Sequence, residues 1–244
     1  MNALELLKRL GWRCLTLAWL WFLATSVGVA FRGAVNPPVS AFMEEKQLEI
    51  EARHLHAKLD YQWTDYEDIA PYMRLAVITA EDQNFPYHHG FDWDAIAAAL
   101  VHNATSRRMH GGSTISQQTA KNLWLWPGRS YVRKAVEAWF TALMEAEWPK
   151  WRILEVYLNV AQFDDYTFGV GAASRRLFDV TPSELKPEEA ALLATTLPAP
   201  DRYDVTDPSA RMQRQEAWIL DQMEGLGGPE YLDVIDPPLP PKRH

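Results

Sequence analysis

Apolar positions crowd the front of this chain. Residues 10–31 read Leu-Gly-Trp-Arg-Cys-Leu-Thr-Leu-Ala-Trp-Leu-Trp-Phe-Leu-Ala-Thr-Ser-Val-Gly-Val-Ala-Phe, and the only charge, Arg13, sits near one end, where its side chain can snorkel. The run is close to the roughly 20 residues that carry a helix across a bilayer, and longer than the apolar core of most signal peptides. It predicts a retained transmembrane anchor at 10–31 behind a short cytoplasmic N-terminus at 1–9. A cleaved signal peptide and a buried core helix are the alternatives. Lys8, Arg9 and Arg13 precede or open the run, whereas Arg32 stands alone before Glu44, Glu45, Glu49 and Glu51. Positive-inside bias therefore places the N-terminus in the cytoplasm.

Beyond Asn36-Pro37-Pro38 the pattern changes. Residues 32–65 read as a juxtamembrane connector, and the mixed charges of 42–58 make that part an exposed connector or outer helix. A compact domain follows at 66–205. Pro71 suits a helix start, Leu75, Ala76 and Ile78 carry an apolar face toward Glu81, and Pro86 stops the helix. Asp92 can cap a helix over 93–101, after which 102–108 is polar, basic and mobile in expectation. Thr114 with Gln117 three residues on forms a capping box for a helix to about Leu123. Helical periodicity recurs over 131–147, 151–160, 170–178, 187–197 and 208–224, the last stopped by Gly225. Alternating strand patterns are scarce. The expected class is all-α, with 206–244 a C-terminal helix and a tail through Pro237-Pro238-Leu239-Pro240-Pro241.

Charge and cysteine content narrow the function classes. At 244 residues and a formal net charge of -8, the chain has room for one core and lacks the basic surface that nucleic acid requires. An anionic ligand must be held locally. Cys14 is the single cysteine, so an internal disulfide and a thiolate metal cluster are excluded.

Candidate chemistry gathers at a few points. Glu81 closes an apolar helix, where partial burial raises a carboxylate toward the range of a general base, and Asp82 can orient it. A simple salt bridge or a solvated carboxylate is the bland alternative. Thr114, Gln118 and Lys121 fall on one helical face, above backbone N–H groups left open at the helix start. Arg133, Lys134 and Glu137 share another face, suited to a phosphate-bearing group or to an ordinary surface ion pair. Adjacent His88 and His89 do not suit a shared metal site. Trp124 and Trp126 either dip into lipid headgroups beside Arg107, Arg108 and Arg129 or pack in the core. Ser183 and Lys186 match a penicillin-binding spacing by coincidence.

Four ordered motifs then stand together: Glu81-Asp82-x-x-Phe85-x-x-His88-x-Gly90; Gly111-Gly112-Ser113-Thr114-Ile115-Ser116-Gln117-Gln118-x-x-Lys121-Asn122; Arg133-Lys134-x-x-Glu137; and Lys150-x-x-Ile153-Leu154-Glu155-x-Tyr157-Leu158-Asn159. Over 74–200 the chain resembles the peptidoglycan glycosyltransferases of glycosyltransferase family 51, in their monofunctional biosynthetic form. The resemblance implies a lysozyme-like, mainly helical fold and an enzyme that polymerises lipid II into glycan strands, inverting the donor anomeric carbon and releasing undecaprenyl diphosphate. It implies Glu81 as the base on the acceptor 4-hydroxyl and Glu137 at the donor side, acting directly or through a divalent cation, Mg or Mn. Lys121, Arg133 and Lys134 would neutralise the diphosphate. Asp82, Ser113, Thr114, Gln117, Gln118 and Asn122 would position substrate, Lys150 would reach the diphosphate, and Phe85 and His88 would shape the loop around Glu81. Glu155, Tyr157 and Asn159 serve catalysis or structure. The implied setting is the bacterial cytoplasmic (inner) membrane with the catalytic domain outside. Lipid II, the growing strand, membrane lipid and cell-division or elongation proteins are the implied partners, no organic cofactor is implied, and moenomycin-type phosphoglycolipids are implied ligands. Arg176-Leu177-Phe178-Asp179-Val180 departs from the family's Tyr-Phe-Gly-Lys and leaves the acceptor-side contacts open. A glycan-cleaving enzyme of the same fold and a non-catalytic anchored scaffold are the competing readings.

Overall fold

A computed structural model describes residues 3–105, 112–128 and 130–236. The expectations placed on Arg107, Arg108, Gly111, Arg129 and the proline tail lie outside the described residues. The long first helix, α1 (Ala3–Ala34), contains a stretch, Lys8–Ala34, long and apolar enough to cross a membrane. Its second half docks on α6 (Tyr131–Glu147) and the residue that ends it. The Trp139 indole N–H donates to Thr25 Oγ1 at 3.2 Å, and that of Trp148 to the Val29 carbonyl at 3.0 Å. Gly33 permits this approach, because a Cβ there would lie 2.4 Å from Trp148 Nε1.

Ser40 caps α2 (Ala41–Ala52), the outer helix of the two readings its mixed charges allowed. Met43 and Ile50 on its inner side are buried, and Phe42 lies beneath the Lys121 ammonium. The charges occupy the outer face, so one apolar residue per turn is enough to seat the helix.

The remaining helices are α3 (Pro71–Glu81), α4 (Trp93–Thr105), α5 (Ile115–Trp124), α7 (Lys150–Val160), α8 (Val170–Phe178), α9 (Pro187–Ala194) and α10 (Ala210–Gly225). The core runs through α7, buried from Arg152 to Val160, with α5 and α6 on one side of it. Against α3 pack α9 and α10. Met212, Ile219 and Met223 bring α10 into the same apolar cluster as α3, α5 and α7, so the C-terminal helix that sequence placed beyond the 66–205 domain packs in its core. A three-stranded sheet is the one departure from helix among the described residues: β1 (Asp60–Tyr61), β3 (Thr167–Phe168) and β2 (Gln162–Asp164), in that spatial order, with β1 parallel and β2 antiparallel to β3.

Polar residues of α7 tie the connector to the core. The Asn159 amide accepts from the Thr64 N–H and donates to the Thr64 carbonyl, both at 2.8 Å, and Glu155 accepts from the Tyr66 N–H at 2.7 Å while pairing with Arg152. These contacts give Glu155 and Asn159 structural duties. Asn159→Ala strands two buried backbone groups and is expected to cost about 3 kcal/mol of stability in denaturant unfolding. A loss under about 0.5 kcal/mol would show that the connector is held elsewhere.

Candidate active site

The apolar run Met73 to Thr79 fixes α3 in the core and delivers Glu81 to its last position, with Asp82 closing the helix. The loop that follows is organised around the Asp82 carboxylate. His88 Nδ1 accepts the Gly90 N–H at 3.1 Å, which leaves the other ring nitrogen, Nε2, to donate to Asp82 at 2.9 Å. Asp82 also accepts the backbone N–H of Ile115, at 2.9 Å, an otherwise orphaned donor in the first turn of α5. Gly90 turns the chain at φ +87, where a Cβ would strike Thr141 Cγ2 at 2.8 Å. Its carbonyl receives the Thr114 hydroxyl at 2.7 Å.

The Thr114–Gln117 capping box is present, and both side chains are buried in it. That register turns Gln118 toward Glu81. Gln118 Nε2 donates to Glu81 Oε2 at 2.6 Å, and Tyr157 donates its hydroxyl to Gln118 Oε1 at 3.3 Å. Burial pushes the Glu81 pKa up, and the Gln118 hydrogen bond and the Lys121 charge oppose that rise. Glu81 is half-buried and lines a cavity, the setting in which a carboxylate with a raised pKa can still meet a ligand.

One turn further along α5, Lys121 joins the two acidic centres. Burial lowers its pKa, while attraction from Glu137 and from Glu81 holds the proton on, against repulsion from Arg133 and Lys134. Glu137 is buried on α6, with Arg133 Nη1 at 3.0 Å on one oxygen and Lys134 on the other. Lys134 also donates to Ser113 Oγ at 3.3 Å. Ser113 and Thr114 line a cavity of about 380 Å³ whose wall includes Glu81 and Asp82. Hydrogen bonds thus join Glu81 to Gln118 and Glu137 through Lys134 to Ser113 at the cavity, and the Lys121 charge lies in the field of both carboxylates.

Other predicted residues lie behind this surface. Phe85 is fully buried, with the Lys150 ammonium 4.5 Å from its ring centre. Lys150 pairs with Glu145 at 2.8 Å, and Glu145 also takes the Ser116 hydroxyl. Burial lowers the Lys150 pKa. Asn122 is buried on α5. Phe85 supports the loop from inside, as its loop-shaping role implied, and Lys150, expected to reach the diphosphate, packs on it there. Glu145 was missed, although its place eight residues after Glu137 on an otherwise apolar face was the available signal. Of the two tryptophans read together, Trp124 stacks on Phe140 at 4.8 Å, whereas Trp126 is 53% exposed.

Comparison with known proteins adds an independent line. Residues 49–224 match the family model described as Transglycosylase. A biosynthetic peptidoglycan transglycosylase from Xanthomonas axonopodis pv. citri is 49% identical over 224 residues, covering 91% of each chain. One from Xylella fastidiosa is 46% identical over 226 residues, 91% of this chain and 93% of the relative. One from Mannheimia succiniciproducens is 49% identical over 209 residues, 85% and 86%.

The Gln118 contact generates a direct test. Its N–H stabilises the ionised form of Glu81, so Gln118→Ala is expected to raise the Glu81 pKa above its already elevated value. Carbon-13 titration of the Glu81 carboxyl reads this, and an unchanged or lower midpoint would contradict the assigned geometry.

Proposed function

From a chain that belongs to the transglycosylase family and is a peptidoglycan glycosyltransferase of cell-wall synthesis, with the lysozyme-like fold of that family, we propose a lipid II polymerase in which Glu81 and Glu137 divide the chemistry. What carries this reading is the position of Lys121, under the influence of both carboxylates at once. Glu81 accepts the proton of the acceptor 4-hydroxyl as that oxygen bonds to the donor anomeric carbon. On the opposite face the bond to the diphosphate breaks, its electron pair leaves with undecaprenyl diphosphate, and the carbon inverts. Lys121, Arg133 and Lys134 meet the charge that grows on the leaving group, in a partly buried setting where such charges interact strongly. Glu137 holds Arg133 and Lys134 in place.

Gln118 has a second duty, since its amide keeps Glu81 turned toward the cleft and favours the ionised form that can take a proton. Asp82 and His88 keep the loop from shifting as Glu81 changes charge. A divalent cation at Glu137, Mg or Mn, fits these residues poorly. Both carboxylate oxygens already face cations, and no group of three or more His, Cys, Asp or Glu gathers among the described residues to hold one. No step above depends on a metal.

The apolar α1 fits a single-pass anchor. In the proposal its N-terminus is cytoplasmic and the catalytic domain stands outside the cytoplasmic membrane, where the lipid-linked precursor presents its sugars. Docking of α1 on α6 would then keep Arg133 and Lys134 close to the headgroup layer.

Polymerisation of lipid II by the full chain tests the proposal. Glu81→Gln and Glu137→Gln are each expected to lower the rate by at least about 10³-fold while leaving thermal unfolding in place. Finished glycan, supplied separately, is expected to persist. Cleavage of it without polymer formation would favour a lysozyme-like hydrolase, and no reaction with either substrate would favour a scaffold.

A further inference from the structure

Beyond the four motifs, the face that α10 turns toward Glu81 carries chemistry of its own. Trp218 is 43% exposed, although Met212 and Ile219 on the same helix are buried. Its indole lines the cavity of about 380 Å³ that also contains Glu81, and the indole N–H has no partner among the described residues. The far wall brings Asn84, whose amide donates to Asp92 at 2.8 Å, and Thr79, whose buried hydroxyl has no hydrogen-bond partner among the described residues. Arg211 and Gln215, seven and three residues before Trp218, line a second cavity of about 130 Å³ that Glu81 also borders. Spacings of four and three put Arg211, Gln215 and Trp218 on one side of the helix. Glu81 therefore stands between two hollows, each with α10 as a wall.

The geometry points to α10 as the sugar-holding wall of the acceptor subsite, with Trp218 the platform on which the acceptor ring stacks; this rests on the polymerase reading above. An indole face suits the C–H face of a pyranose, and neighbouring amide, carboxylate and hydroxyl groups suit its hydroxyls. The wall under Trp218 repels phosphate through Asp92, whereas the cations that suit a diphosphate sit on α5 and α6. A ring laid on Trp218 in this cavity brings a hydroxyl to the Glu81 edge, while the leaving group is held on the Lys121 side. Trp218 is thus a binding residue for the amino sugar that gives up its proton. The departure at residues 176–180 left this acceptor side without assigned contacts, and α10 supplies them.

Two measurements on the full chain in detergent micelles decide the matter. In the first, Trp218→Ala is expected to raise KM for lipid II about tenfold with kcat within about twofold, and Trp218→Phe to recover most of the loss. Unchanged KM in Trp218→Ala would overturn the subsite while leaving the polymerase reading intact. The second is saturation-transfer NMR with a soluble β-1,4-linked N-acetylglucosamine disaccharide, which needs no turnover. Signal in the wild type and in Trp218→Phe that disappears in Trp218→Ala supports the subsite, and equal signal in all three overturns it. Failure of the wild type to polymerise lipid II would count against the functional reading alone, because the disaccharide measurement still reports on Trp218.

Discussion

One buried carboxylate sets the geometry on which everything else depends. Asp82 receives a ring N–H from His88 and a backbone N–H from the first turn of α5, and so fastens the end of α3 to the start of another helix. With that junction fixed, the 3.6-residue repeat of α5 does the rest: Gln118 comes to Glu81, and Lys121, three residues later, comes under the influence of both Glu81 and Glu137. Lys150, Glu145 and Ser116 brace the same junction from the core side. A charged network of this kind holds its shape only when each member is satisfied, and here Glu145 meets both an ammonium and a hydroxyl.

The long apolar helix α1 is built onto the same frame. Arg133, Lys134 and Glu137 occupy the N-terminal half of α6, while Trp139 on that helix and Trp148 just past it carry the hydrogen bonds to α1. One helix therefore joins the apolar α1 to the cations around Glu137. Packing around Gly33 and the two indole donors makes this a specific contact, unlike a tether.

Much of the fold was legible because its signals are local. The Thr114–Gln117 box, the apolar face of α3 ending at Glu81 and the unbroken run of α1 each reside within a few turns of helix. What escaped has its cause in tertiary packing. Phe42 under Lys121, Glu145 between Ser116 and Lys150, and α10 in the core are contacts across long separations, and the charged outer faces of α2 and α10 concealed the few apolar residues that seat them. Sequence gathered residues that the fold brings near one another, yet it gave no means of telling Gln118 from Lys150, which packs behind the loop. Partners separate the two: Gln118 meets Glu81, whereas Lys150 meets Glu145.

The central claim is that a single cationic groove couples Glu81 to the cations around Glu137, with Lys121 as the shared charge. The pH dependence of kcat/KM for lipid II, compared between wild type and Lys121→Gln, tests it most directly. Glu81 must be ionised to act as the base, so activity falls as pH drops through its pKa, and the Lys121 charge holds that pKa down. Removing the charge is expected to move the acid limb to higher pH. An acid limb that stays in place would contradict the account, because Lys121 would then lie outside the field that Glu81 experiences.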